Sequence, residues 1–110
     1  MAHLYLLDEN GMTAKKWELD KNPVAVGRGE AADVRVEDQS LSRRHFLIVR
    51  EGLGYLLKDL NSQNGTWVDG RRADAAATQL KHHDCIAAGR TLFLFSEDPP
   101  RATASPGGAA

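Results

Sequence analysis

Residues 46–60, FLIVREGLGYLLKDL, are the stretch that most clearly decides the fold. Two dense apolar runs, Phe46–Val49 and Tyr55–Leu60, stand on either side of the glycine-containing segment Glu51–Gly54. Dense apolar runs of this length are typical of central strands, and the glycines indicate a tight connection between them. The stretch therefore predicts two neighbouring central strands joined by a short turn.

Further from this pair, apolar and polar residues alternate at a period of two, which indicates strands with one buried face. The turn signals Asn10-Gly11 and Asp69-Gly70 separate these shorter runs. No convincing helical stripe is present, and many short strands at close spacing predict a sandwich or a barrel. The additional strands are predicted at Lys15–Asp20, Val24–Val26, Asp33–Glu37, Thr66–Val68, Asp84–Ala87 and Leu92–Phe95.

Length and composition fit one domain and exclude several classes of protein. The chain has 110 residues, 42% of them hydrophobic, which is enough for a core without disulfides. Its single cysteine, Cys85, excludes an internal disulfide framework and a four-cysteine zinc site. No signal-peptide pattern and no apolar stretch of about 20 residues is present, so we expect a cytoplasmic protein without membrane contact.

The last residues differ in composition from the rest of the chain. From about Ser96 they are rich in proline, glycine and small residues, with nothing large to bury. We therefore predict a folded domain over residues 2–97 and a disordered tail or linker over 98–110.

Two loops between predicted strands, Gly27–His45 and Leu60–Thr66, hold most of the residues with binding chemistry. The guanidinium of Arg28 offers several fixed donors that suit an oxyanion, and the Ser42 hydroxyl and the amide of Arg43 add neutral donors. Because the formal net charge is only −1, nucleic acid is not the expected partner, and any anion site must come from such a local cluster.

Three motifs in these loops resemble those of the forkhead-associated (FHA) domain family: Gly27-Arg28, Ser42-x-x-His45 and Asn64-Gly65-Thr66. The resemblance runs from about Pro23 to Phe95. It implies an all-β fold, an antiparallel β-sandwich of about eleven strands of the FHA/SMAD-like type. It also implies a module that binds phosphothreonine peptides through loops at one end, with basic residues reading the phosphate.

The resemblance assigns a role to each matching residue. Arg28, Ser42 and Arg43 would bind the phosphate, and Asn64 with its neighbour Gln63 would bind the peptide main chain. Gln63 departs from the family pattern, which often has threonine or serine there. The implied structural supports of the loops are Gly27, His45, Gly65 and Thr66.

Other interpretations of the same residues are weaker. Ser42 near His45 suggests a hydrolase, but the chain has no Gly-x-Ser-x-Gly elbow, so no catalytic residue is predicted. His82 and His83 suggest a metal site, but neighbours in a strand point to opposite faces and a solvated loop is the better interpretation, so neither a metal nor a cofactor is predicted. Cys85 is predicted to be a small core residue. Asn64-Gly65 is also a common turn in which the asparagine is chosen for positive φ.

The sequence therefore favours a signalling module that is not an enzyme. Its predicted partner is a phosphothreonine-containing protein, and we expect a monomer that binds neither nucleic acid nor membrane. Gln63 keeps one alternative open, a phospho-independent scaffold or assembly domain with the same fold.

Overall fold

A computed structural model describes residues 2–74 and 76–97, which form two β-sheets and no helix. Within this part of the chain, no helix is therefore long and apolar enough to cross a membrane. The predicted tail, 98–110, lies outside the described residues. The strands are β1 (Ala2–Leu7), β2 (Thr13–Glu18), β3 (Val24–Gly27), β4 (Val34–Arg35), β5 (Phe46–Glu51), β6 (Gly54–Asp59), β7 (Thr66–Val68), β8 (Arg71–Ala73), β9 (Thr78–Leu80), β10 (Cys85–Ala88) and β11 (Thr91–Glu97).

The eleven strands form a six-stranded and a five-stranded sheet, which confirms the predicted β-sandwich. The six-stranded sheet has the order β2-β1-β11-β10-β7-β8, and the five-stranded sheet has the order β4-β3-β5-β6-β9. Neighbouring strands are antiparallel except at one edge, where the two-residue strand β4 pairs in parallel with β3. In this parallel pair Arg35 stands opposite Gly27, which places β4 directly beside the Gly27-Arg28 motif.

The core lies between the sheets and is built on the predicted central pair of strands. β5 and β6 pair in antiparallel register from Phe46↔Asp59 to Glu51↔Gly54, which confirms the hairpin. The fully buried ring of Phe46 meets that of Phe93 on β11 edge to face, with centroids 5.8 Å apart. Aromatic pairs of this geometry stabilise a core beyond the area they bury. The sandwich is thus a rigid frame from which the loops extend.

The prediction that Cys85 is a core residue is wrong. Cys85 begins β10 and pairs with Leu94 of β11. Its side chain is half-buried on the outer face of the six-stranded sheet and does not lie in the core. Alternation explains this, because Ile86 and Ala88 take the buried positions of β10. His82 and His83 lie in an exposed turn, as predicted for a solvated loop, and their rings stack with centroids 3.7 Å apart.

Candidate functional site

The β3–β4 and β4–β5 loops run against each other, main chain to main chain. The amide of Arg28 donates to the Ser42 carbonyl at 3.1 Å, and that of Gly29 donates to the Arg43 carbonyl at 3.0 Å. A Cβ at Gly27 would lie 2.8 Å from the Ser42 carbonyl oxygen and overlap the main chain of Arg43. Only glycine allows this approach, which brings the two predicted phosphate-binding loops together.

Arg28 is half-buried, and its side chain is held by the neighbouring loop. The Arg28 Nε donates to the Leu41 carbonyl at 2.7 Å, which fixes the guanidinium next to Ser42. Among residues 2–74 and 76–97, no carboxylate forms an ion pair with it. The charge of Arg28 is therefore not neutralised by a partner within the described part of the chain, and the guanidinium is oriented without one.

Ser42 connects the β4–β5 loop to the β6–β7 loop. Its Oγ accepts a hydrogen bond from the main-chain amide of Gln63 at 3.1 Å. A hydroxyl that accepts in this way still has its own hydrogen to donate. The amide of Gln63 is thus engaged with Ser42, while the Gln63 residue as a whole is exposed. The side chain of Arg43, next to Ser42, is also exposed.

His45 is fully buried and bridges the same two loops. Its Nε2 lies 2.8 Å from the Gly65 carbonyl, which can only accept, so Nε2 donates. Its Nδ1 then accepts from the Ser42 amide at 3.0 Å. Because main-chain groups occupy both ring nitrogens, neither is free to take a proton from the Ser42 hydroxyl.

Asn64 lies at the tip of the β6–β7 loop and is exposed. Its Nδ2 donates to the Ser40 carbonyl at 2.7 Å, which leaves the Oδ1 acceptor and a second N–H hydrogen for another group. Among the described residues with positive φ are Gly65, at 84°, and Asn61, but not Asn64. The turn interpretation, in which Asn64 is chosen for positive φ, is therefore wrong.

The β10–β11 turn also contacts the β4–β5 loop of the site, which sequence reasoning missed. The Asp38 carboxylate accepts from the amide and Oγ of Ser40 and from the Thr91 Oγ1, and the Ser40 Oγ accepts from the Arg90 amide at 2.8 Å. Burial tends to raise the pKa of Asp38, but the hydrogen bonds from Thr91 and Ser40 outweigh it and lower the pKa. Asp38-x-Ser40 is a recognisable Asx-turn pattern, but nothing local in the sequence indicates the contacts with Arg90 and Thr91.

A groove of about 760 Å³ opens beside Asn64, between the β4–β5 loop and the β10–β11 turn. Trp67, Arg90, Glu37 and Gln39 are among the residues that line it. The groove adjoins the surface that carries Ser40 and Asn64.

Asp59 stabilises the β6–β7 loop from inside. Its carboxylate accepts from the Ser62 Oγ at 2.6 Å, the Ser62 amide at 3.0 Å and the Thr66 Oγ1 at 2.7 Å. Burial tends to raise the pKa of the Asp59 carboxyl, but the hydrogen bonds from Ser62 and Thr66 outweigh it, and the pKa lies below its usual value. The ionised form therefore holds this loop in place.

Replacing Asp59 with asparagine is expected to lower the free energy of unfolding at pH 7 by about 1–3 kcal/mol, because an amide nitrogen would face one of these donors. Since the folded-state pKa of Asp59 is lowered, its contribution is fully present above the unfolded-state pKa of about 4 and is lost as the pH falls further. Urea unfolding of both proteins from pH 7 to pH 3 measures this difference, which should shrink below about pH 4.

The exposed Asp20 provides the control for that experiment. Asp20→Asn should change the free energy of unfolding by less than about 0.5 kcal/mol at pH 7. A difference between the wild-type protein and Asp59→Asn that stayed constant down to pH 3 would contradict the role given to the Asp59 carboxylate.

The part of the chain that carries these loops matches a known protein family. The family model described as "FHA domain" matches residues 24–89, which include all three motifs and the β3–β4, β4–β5 and β6–β7 loops. The chain belongs to the FHA domain family. The loops that carry Arg28, Ser42 and Asn64 are thus loops of an FHA domain.

Relatives and solved structures of FHA domains agree with this assignment. The chain is 39% identical over 91 residues to the FHA domain-containing protein FhaA of Mycobacterium tuberculosis, and the match covers 83% of the chain but 16% of FhaA. It also matches 52% of the length of the oxoglutarate dehydrogenase inhibitor of Corynebacterium jeikeium, at 34% identity and 70% coverage of the chain. The chain thus spans about half or less of these curated relatives.

One similar solved structure comes from a structural and functional analysis of phosphothreonine-dependent FHA domain interactions. It has a TM-score of 0.79 and 33% identity, and covers 90% of this chain and 98% of its own. Another is the FHA domain of FhaA complexed with the intracellular domain of Rv3910. Its TM-score is 0.76 with 34% identity, over 86% of this chain and 99% of that one.

Proposed function

We propose that residues 2–97 form a phosphothreonine-dependent protein–protein interaction module that acts in signalling. The observation that carries this proposal is the placement of Arg28 beside Ser42. Its guanidinium is held by the Leu41 carbonyl, has no ion-pair partner among the described residues, and shares one end of the sandwich with the Ser42 hydroxyl. Such a cationic fork with an adjacent hydroxyl suits a phosphate monoester.

The chemistry of the modification explains the selectivity of such a module. A phosphate group adds about −1.5 to −2 charges and three strong acceptor oxygens. We assign Arg28, Ser42 and Arg43 to these oxygens, and each charge-assisted contact contributes about 1.5–3 kcal/mol. Unmodified threonine offers none of these contacts, so the phosphorylated peptide should bind far more tightly.

Asn64 and Gln63 are assigned to the main chain of the bound peptide. The Oδ1 and the second N–H hydrogen of Asn64 can pair with a peptide amide and carbonyl, while the first remains on Ser40. Residues that flank the phosphothreonine would then occupy the groove beside Asn64. The partner is a phosphothreonine-containing protein, in keeping with the phosphothreonine-dependent interactions of a similar solved FHA domain.

A binding role rather than catalysis is supported by the state of His45. Ser42 is the candidate nucleophile next to it, but both ring nitrogens of His45 are occupied by the Ser42 amide and the Gly65 carbonyl. A serine nucleophile requires a base that faces its hydroxyl. We therefore propose that the site captures phosphothreonine and leaves it chemically unchanged.

The proposal is tested by titrating the protein with peptides selected from a phosphothreonine library with degenerate flanks. Each selected peptide is synthesised with threonine, phosphothreonine and phosphoserine at the fixed position, and binding is measured by calorimetry at low and high salt. We expect binding of the phosphothreonine form, no measurable binding of the threonine form, and weaker binding at high salt. Equal affinity for the threonine form would instead support the phospho-independent scaffold.

A further inference from the structure

A second arginine lies against the proposed phosphate site. Arg35 stands opposite Gly27 in the parallel β3–β4 pair, and its Nε donates to the Arg28 carbonyl at 3.3 Å. The Nε of Arg28 is itself bound to the Leu41 carbonyl. Each guanidinium is therefore held through one nitrogen by the main chain of these loops, and its terminal nitrogens remain for another group.

Arg28 and Arg35 line one cleft of about 420 Å³, together with the segment Glu37–Gln39. This cleft adjoins the groove beside Asn64, since Glu37–Gln39 lines both. Arg28 is thus shared between the phosphate site and the cleft. A group bound in the cleft would lie within a few residues of a phosphothreonine held at Ser42, since an extended chain advances about 3.3–3.6 Å per residue.

The two guanidinium groups of the cleft are free to bind an anion. In the described residues, neither arginine forms an ion pair. Asp38 also lines the cleft and keeps its negative charge, although both its carboxylate oxygens accept hydrogen bonds from Ser40 and Thr91. Glu37 is exposed and has no hydrogen bond or ion pair among the described side chains. Glu37 and Asp38 therefore balance the two arginine charges formally, and the free guanidinium nitrogens, rather than a net positive charge, are what an anion would bind.

We propose that Arg35 and Arg28 form a second anion subsite, which takes a phosphate or carboxylate from another residue of the peptide that carries the phosphothreonine. The inference rests on the proposed function and deepens it, because it defines the ligand as a segment with two neighbouring anionic groups. Arg35 would act as a specificity-determining residue, outside the three motifs that identify the family.

The experiment scans one phosphothreonine peptide with a second anionic residue at each position from three before to three after the phosphothreonine. One arm uses glutamate and the other uses a second phosphothreonine, so the two sources of the anion are distinguished. The readout is the affinity ratio of each doubly anionic peptide to the singly phosphorylated one, measured by calorimetry at constant salt. We expect a gain of about five- to tenfold at one position or two adjacent ones, as for one charge-assisted contact at a partly exposed site.

Three variants assign the gain to the cleft. Arg35→Ala should bring the affinity ratio close to one. Glu37→Gln should raise it about twofold, because a repelling charge is removed from the same cleft. Arg50→Ala, which removes an exposed arginine next to the β5–β6 turn, should leave the ratio unchanged and thereby control for net charge.

A scan with no gain at any position, while the singly phosphorylated peptide binds, would overturn the second subsite and leave the proposed function standing. A gain that persists in Arg35→Ala, or that Arg50→Ala abolishes equally, would also overturn it. Failure of the singly phosphorylated peptide to bind would overturn the proposed function and, with it, this inference.

Discussion

Arg28→Ala is expected to lower the affinity for a phosphothreonine peptide by about 100-fold or more. The guanidinium would supply two charge-assisted contacts, and their loss corresponds to about 3–4 kcal/mol even if solvent compensates part of it. The folded protein loses only the hydrogen bond from Arg28 Nε to the Leu41 carbonyl, so the free energy of unfolding should fall by about 1 kcal/mol. Calorimetric titration and urea unfolding measure the two effects separately.

Two matched variants sharpen this prediction. Arg28→Lys keeps the charge but loses both the planar fork and the Nε that binds Leu41, so we expect it to recover only a small part of the affinity. Arg50→Ala removes an exposed arginine at the end of β5 away from Phe46 and should change the affinity less than about twofold. Wild-type affinity in Arg28→Ala would remove the basis of the proposed phosphate site.

His45→Ala is expected to lower the free energy of unfolding by about 3–4 kcal/mol, the largest stability effect predicted for a site residue. The substitution leaves a cavity at a fully buried position and removes the partners of the Ser42 amide and the Gly65 carbonyl. Since small domains are stable by about 5–15 kcal/mol, this is a large fraction of the total. Urea unfolding monitored by tryptophan fluorescence gives the value.

The exposed His82 is the matched control for this substitution. His82→Ala removes one exposed hydrogen bond, from the Glu97 amide, and should cost less than about 1 kcal/mol. If His45→Ala unfolded at the same urea concentration as His82→Ala, His45 would not be the bridge between the two loops. Binding should also weaken in His45→Ala, because Ser42 and Gly65 would lose their common support.

The fold could be predicted from the sequence because its central strands have distinct local patterns. The apolar runs of β5 and β6 and the period-two alternation around them correspond to real strands, and the three motifs identify the family. Strands β1, β8 and β9 were not predicted. β8 and β9 have only three residues and lack a turn signal on both sides, such as the Asn-Gly and Asp-Gly turns that flank β7, and the adjacent leucines at the end of β1 break its alternation. Cys85 shows a related limit, since an apolar strand does not reveal which of its faces is buried.

The site was predictable only as a set of residues, not as a set of contacts. Arg28, Ser42 and Asn64 could be selected from their motifs, but the Leu41 carbonyl that orients Arg28 is a main-chain group with no sequence signature. The contact between Asp38 and Thr91 joins residues 53 positions apart. Arg35 was overlooked because its importance comes from the parallel β3–β4 pairing, and two residues of strand cannot be assigned a direction from sequence alone.

Hydrogen bonds hold both polar ends of Ser40 in place. Its hydroxyl donates to Asp38 and accepts from the Arg90 amide, and its carbonyl accepts from the Asn64 side chain. The recognition surface is therefore preorganised before any partner arrives, and little loop entropy remains to be lost on association. Binding should then resemble rigid-body docking, with free and bound backbones that differ by no more than about 1 Å. Affinity differences among partner sequences would consequently appear mainly in dissociation rates.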